Sequence, residues 1–318
     1  MLGRLGGQGM KQNTRTVPRR TFLASMAALG VATSFASPSI AAVPPLTKAI
    51  PKTGDRLPVV GMGSWLTFSV GGDAAAREVR VRVLQAFFEA GGGVIDSSPM
   101  YGSSEEVIGY CLTRMADTDS LFTATKVWTP MKWYGVNQMQ RSQGLWGRGP
   151  FDLIQVHNLW SWEAHLETLL QWKAEGRVRY IGVTTSHGRR HEELEKIMAS
   201  APIDFVQFTY NVHDRAAEQR LLPLAAERNL GVIINRPFRG GSLFKLFQRD
   251  PLPPWAAEIN CANWAQFFLK FIVSHPAVTC AIPATSRVDH MRENMGAAQG
   301  RLPDPKTRQR MAQYLETL

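Results

Sequence analysis

Three residues of different chemical type close short apolar runs: Asp96 ends Val94-Ile95-Asp96, Lys126 ends Ala124-Thr125-Lys126, and His157 ends Gln155-Val156-His157. Tyr101 follows Asp96 by five positions. Together these four hold the parts of a proton-transfer device. A buried lysine beside an aspartate stays charged, and its ammonium would lower the pKa of a phenol within hydrogen-bond reach. A phenol tuned in this way delivers a proton near neutral pH, and a histidine adds a hydrogen bond to the oxygen that receives it. Each residue alone has a plainer use: Asp96 as a turn cap, Lys126 as a solvated strand end, Tyr101 and His157 as packed rings. Only their convergence makes a site. A lysine so placed also leaves open Schiff-base chemistry of the lyase type.

Convergence depends on the elements that carry them. Strand patterns fall at Pro58–Gly63, Val94–Asp96, Leu121–Lys126, Asp152–His157, Val178–Val183, Phe205–Thr209, Gly231–Asn235 and Val278–Pro283. Helical patterns lie between them: Asp73–Ala90, Glu105–Met115, Trp133–Trp146, Trp162–Glu175, Arg189–Ser200, Ala216–Glu227, Glu258–Ser274 and Asp289–Gln299. In the first helix, apolar Val79, Val83, Ala86 and Phe87 recur at three- and four-residue steps; Asp73 caps its start and Gly91-Gly92-Gly93 stops it. Strands separated by single helices pair in parallel through right-handed crossovers. Eight such units predict an α/β fold, a closed (β/α)8 TIM barrel, rather than a doubly wound open sheet; no GxGxxG follows the first strand. Strands two, three and four would then set Asp96, Lys126 and His157 side by side, roughly 4.8 Å apart from strand to strand.

Composition agrees with one large soluble domain. Of 318 residues, 44% are hydrophobic and 19% charged, which excludes a disordered chain. Cys111, Cys261 and Cys280 have neither CxxC spacing nor a histidine companion, so buried free thiols are expected, and no metal. The net charge of +10 is uneven: residues 1–42 carry Arg4, Lys11, Arg15, Arg19 and Arg20 and no acid. The rest has no basic cluster, so nucleic acid is not an expected partner. Pro18-Arg19-Arg20-Thr21-Phe22-Leu23, a mildly apolar stretch and Ser39-Ile40-Ala41-Ala42 have the three regions of an export signal. The segment resembles the twin-arginine type. That implies residues 1–42 as a signal peptide, cleavage near Ala41, and a mature barrel over 43–318. It also implies the twin-arginine export machinery as a partner, a periplasmic or otherwise exported product, and no stable membrane insertion after processing.

The motifs around the four residues resemble the aldo/keto reductase family. The stretch from Ala90 through Gly91-Gly92-Gly93-Val94-Ile95-Asp96-Ser97-Ser98-Pro99-Met100-Tyr101-Gly102-Ser103-Ser104-Glu105 is similar to its "G-x-x-x-D-T-A-x-x-Y-G-x-x-E" signature. Thr125-Lys126, Asp152-Leu153 with His157, and Glu175-Gly176 with Arg179-Tyr180-Ile181-Gly182-Val183 follow its later elements, so the resemblance runs from about Val59 to Asn294. It implies an NAD(P)H-dependent oxidoreductase reducing an aldehyde or ketone to an alcohol. Tyr101 would donate the proton, Lys126 and Asp96 would tune it, and His157 would orient the carbonyl.

Barrels commonly bind phosphate in the loops after strands seven and eight. Here those loops hold Arg236, Pro237, Arg239, Gly241 and Ser242, then Ser286 and Arg287, with Glu293 and Asn294 in the next helix. The resemblance gives the second group to the adenosine half, with Ser286 and Arg287 favouring NADPH over NADH through a 2′-phosphate. It gives Thr184 and Gln207 to the carboxamide. Two positions depart from the family: Thr184-Thr185 replaces "S-N", and Asn235 stands where an aromatic stacks on the nicotinamide. These departures motivate a second reading, a nucleotide-binding redox sensor or partner barrel with little turnover. Trp65 and Trp128, after strands one and three, are expected as apolar walls around a small-molecule carbonyl substrate.

Overall fold

The computed structural model describes residues 44–318. The segment read as an export signal lies outside them. Eight parallel strands form the sheet in chain order: β3 (Met62–Gly63), β4 (Val94–Asp96), β5 (Phe122–Val127), β6 (Phe151–Val156), β7 (Val178–Thr184), β8 (Phe205–Thr209), β9 (Gly231–Asn235) and β10 (Cys280–Ala281). Parallel bridges from Val60 to Ala281 and from Gly63 to Ala284 join the last strand to the first, so the sheet closes into the expected barrel. Among the described residues ten helices accompany it, from α1 (Ala74–Glu89), α2 (Ser104–Leu112), α3 (Lys132–Trp146), α4 (Trp162–Ala174) and α5 (His191–Ser200) to α6 (Leu221–Glu227), α7 (Ser242–Phe247), α8 (Trp264–Val273), α9 (Val288–Gly296) and α10 (Pro305–Glu316).

Several elements differ from the expectation: the last strand is only Cys280–Ala281, and the helix expected over 216–227 is a 3₁₀ turn (Ala216–Glu218) followed by α6. The first strand joins the barrel over two residues, because Arg56–Pro58 (β2) instead pairs antiparallel with Thr47–Ala49 (β1). The helix expected over 258–274 is a 3₁₀ turn (Pro254–Ile259) followed by α8: Asn260 takes φ +53°, and Asn263 caps the new start by accepting from Gln266 N. Helix α7 after β9 has no strong sequence period.

Alternation along the strands explains the barrel interior. Val94, Phe122, Leu153, Tyr180, Phe205, Ile233 and Cys280 form an apolar cluster at one level, and Ile50 and Leu57 of the β1–β2 hairpin belong to the same cluster. Two or four residues later on those strands come Asp96, Lys126, His157, Gln207 and Asn235. The period of two therefore turns an apolar floor into a polar upper layer on the same inward face. Gly231 gives Phe205 its place in the floor, since a Cβ there would come within 2.4 Å of that ring. Truncating a ring buried as fully as Phe205 costs about 3–5 kcal/mol. The polar layer is thus built on a stiff base.

Candidate active site

Asp96 and Lys126 meet at the carboxyl ends of neighbouring strands β4 and β5. Lys126 Nζ donates to Asp96 Oδ2 at 2.6 Å and to the carbonyl of Ser97 at 2.7 Å. Side-chain exposures of 1% and 2% leave this pair without water. Tyr101 arrives by a turn in which its N–H donates to the Ser98 carbonyl at 2.9 Å. Its ring centroid lies 5.4 Å from Lys126 Nζ and 5.6 Å from the His157 ring, edge on at 84°. His157 opens a 3₁₀ turn immediately after β6 and is 5% exposed. All four sequence-selected residues therefore share one place.

The electrostatics overturn one expectation. Burial first, and then the charge of Asp96, push the Tyr101 phenol up rather than down. The ammonium of Lys126 is spent on a carboxylate at 2.6 Å, so little of its field is left to favour a phenolate. Burial likewise raises Asp96 and lowers Lys126, each opposed by its partner. Burial, reinforced by Lys126, holds His157 well below the ordinary imidazole value, so its ring is neutral. Tyr101 is accordingly a fully protonated acid. No protein group among the described residues takes its hydroxyl in a hydrogen bond, so the proton is free for a ligand. Lys126, in contrast, is buried outside the cavity lining with its ammonium held by two acceptors, a placement that does not suit Schiff-base chemistry.

A cavity of about 600 Å³ opens above this group, lined on its floor by Asp96, Tyr101 and His157. Of the residues assigned to a nucleotide, Thr184, Gln207, Arg236, Pro237 and Gly241 line it. Arg239, Ser242, Ser286, Arg287, Glu293 and Asn294 lie outside its lining. Arg239 pairs with Asp214, and Arg287 is gripped by Asp289 of its own helix. A phosphate reaching Arg287 must share or displace that carboxylate. Trp65 lines the cavity, whereas Trp128 does not: its ring lies 4.8 Å from Trp160, outside the wall it was expected to form.

The two departures acquire a physical meaning. Asn235 of β9 ties its neighbour β8 to the segment leaving β7, donating to the Thr185 carbonyl at 2.8 Å and accepting from Thr209 Oγ1 at 2.7 Å. Its amide nitrogen and oxygen each make one bond that holds the barrel rim, and the residue also lines the cavity. Thr185 lines the cavity, and its buried hydroxyl has no partner. Thr184 Oγ1 accepts from Asn158 N at 3.0 Å and keeps its own proton to give. Arg236 lines the cavity without an ion pair among the described residues, and a Cβ placed at Gly241 (φ +88°) would meet open space. An orphaned hydroxyl, an uncommitted guanidinium and an open glycine loop fit a ligand with an amide at one end and phosphates at the other.

Several supporting residues escaped selection from the sequence. Glu105 is buried at the start of α2 and accepts from Thr125 Oγ1, Ser142 Oγ and Trp146 Nε1 at 2.6, 2.8 and 3.3 Å. It ties α2 and α3 behind the lysine strand. Gln155 Nε2 donates to Gln207 Oε1 at 3.0 Å across the barrel, joining strands that are not neighbours. Ser98 contacts His157 Nδ1 at 2.8 Å. The period-two register that already placed Lys126 and His157 could have found Gln155; for Ser98 the signal was its place where the family's signature has alanine.

Comparison with known proteins agrees with this geometry. The model of the Aldo/keto reductase family matches residues 59–311. Methylglyoxal reductase YeaE of Escherichia coli is 27% identical over 255 residues, covering 78% of this chain and 88% of that protein. Pyridoxine 4-dehydrogenase of the same organism is 27% identical over 246 residues, 70% and 82% of the two chains. In fold, the chain is similar to an aldo/keto reductase from Klebsiella pneumoniae solved with NADP and acetate, with a TM-score of 0.70, 22% identity, and coverage of 86% and 96%.

Proposed function

The chain belongs to the aldo/keto reductase family of NAD(P)H-dependent oxidoreductases, and from that premise we propose that it reduces the carbonyl group of an apolar aldehyde or ketone, using NADPH, with Tyr101 as proton donor. The observation that carries this is the convergence of Asp96, Lys126, Tyr101 and His157 beneath one cavity. A barrel that only bound nucleotide would have no use for a buried ion pair beneath an unspent phenol.

Thr184, Thr185 and Gln207 are the candidates to hold the carboxamide end of the cofactor, and Arg236 with the Gly241 loop its phosphates. Ser286, Arg287, Glu293 and Asn294 would take the adenosine half beyond the cavity. When bound, a reduced nicotinamide supplies the two electrons and the hydrogen for the carbonyl carbon. The chain's residues handle the oxygen. Tyr101 Oη gives its proton as negative charge develops there, and neutral His157 donates a hydrogen bond to the same atom. Asp96 and Lys126 hold the floor dry and fixed, so no water competes for that charge.

The walls speak for a bulky apolar substrate. Trp65, Leu66 and Met100 line the cavity on the side of β3 and β4. Seven of the ten exposed large apolar side chains among the described residues sit in the loops or first helical turns after β3–β6, Trp133 and Trp160 among them. Trp65, Leu66 and Met100 are the part of that apolar rim that reaches the cavity wall, whereas the loops after β7 and β9 bring Arg189, Arg190 and Arg236. Oxidation of NADPH should therefore be faster, in kcat/KM, with an aryl or long-chain carbonyl compound than with methylglyoxal. Mass spectrometry of ligand released from the purified protein should find NADP. An empty barrel without turnover on either substrate would favour the partner-barrel reading.

Export by the twin-arginine route is part of the same proposal, supported by Arg19-Arg20 and the small-residue exit at Ser39 and Ala41. This route carries folded proteins, so the cofactor would travel with the barrel. Replacing both Arg19 and Arg20 by Lys should retain the protein in the cytoplasm; undiminished export in cell fractions would refute the assignment.

A further inference from the structure

We propose that Ser98 is a positioning residue that fixes His157 as its Nε2–H tautomer, so that the ring presents a donor to the carbonyl oxygen beside Tyr101. The proposal rests on the carbonyl-reductase reading for its purpose but not for its chemistry. Ser98 is fully buried, and its Oγ has two partners. The Met100 N–H donates to it at 3.2 Å, and His157 Nδ1 lies 2.8 Å away.

A hydroxyl has one proton to give and two lone pairs to receive. Met100 N–H occupies one lone pair. Were Nδ1 also protonated, Ser98 would accept twice and its own proton would have no acceptor in a site shut off from water. A buried donor left unmade is the costly outcome. Donation from Ser98 Oγ to Nδ1 satisfies every group. A neutral ring carries one proton, so it must then sit on Nε2, and the bond made by one nitrogen sets the state of the other. Nε2 has no partner among the described residues and belongs to a residue lining the cavity. The opposite tautomer would aim a lone pair at the carbonyl oxygen and repel the charge that develops there.

Position 98 is also a place where this chain departs from its family's signature, which has alanine after the "D-T" pair. Ser98→Ala is therefore a variant that the fold should accommodate. Histidine ¹⁵N spectra of the full chain, with the ring assigned through His157→Gln, are expected to show Nδ1 bare and Nε2 protonated in the unsubstituted protein. Ser98→Ala should convert this to a mixture and lower kcat by about tenfold to a hundredfold, with the KM for NADPH unchanged. Ser98→Thr, which keeps the hydroxyl, should restore both. A protonated Nδ1 in the unsubstituted protein overturns the proposal, and so does an unchanged tautomer or an unchanged kcat in Ser98→Ala. The spectra decide the tautomer even if no carbonyl compound is turned over, so failure of the functional reading and failure of this inference are told apart.

Discussion

Tyr101→Phe should lower kcat for carbonyl reduction by between about a hundredfold and ten-thousandfold, the range for losing a positioned general acid, while NADPH binding stays within a factor of about two. The substitution removes one oxygen and keeps the ring that packs edge on against His157. The fold and the nucleotide side of the cavity are left alone. What is lost is the only phenol proton that the described residues bring to the cavity. The pH profile supplies a second check. The active acid is the protonated phenol, and burial has moved its pKa upward, so activity must persist until pH rises past the ordinary phenol range of about 10. His157 acts as a neutral donor and its pKa has moved downward, so the acid limb falls below the ordinary imidazole value of about 6.5. Between these limits kcat is expected to be flat. A basic limb centred near neutral pH would show that the ammonium does acidify the phenol, against the geometry found.

Lys126→Met carries the second large effect, and it falls on stability as well as turnover. Asp96 is 2% exposed and, among the described residues, has Lys126 as its only ion-pair partner. Removing one member of a buried pair strands the other charge and costs roughly 3–5 kcal/mol. Thermal or denaturant unfolding of the purified variant measures this directly. The double replacement, Lys126→Met with Asp96→Asn, removes both charges and should recover much of the stability without recovering activity. That split separates the pair's structural cost from its part in the reaction. A single variant as stable as the parent would mean that Asp96 takes up a proton without penalty, and the ion pair would lose its assigned importance.

Much of the site was legible because barrels obey a simple rule: strand ends converge. Asp96, Lys126 and His157 each close an apolar run, and in-order parallel pairing of β4, β5 and β6 brings three such ends together. Thr184 of β7 and Gln207 of β8, which the resemblance to the family supplied, are partners in the strand register. Loop residues were less predictable. Trp128, one residue past β5, packs on Trp160, because a loop's direction is set by its tertiary neighbours. Arg287 finds Asp289 two residues away, a local pairing that composition could not rank above a distant phosphate.

The linear order of residues determined the barrel, the identity of its proton-handling group and the family to which it belongs, since hydrophobic period and strand spacing are local and repeat eight times. Three-dimensional packing alone decided how that group is charged. Whether an ammonium lowers a phenol's pKa depends on where its carboxylate partner lies and on how much water reaches all three. Asp96 and Lys126 are thirty positions apart in sequence yet 2.6 Å apart in space. At that separation in a dry floor each charge largely offsets the other, so burial leads in setting the states of Tyr101 and His157, with Asp96 adding to the first shift and Lys126 to the second.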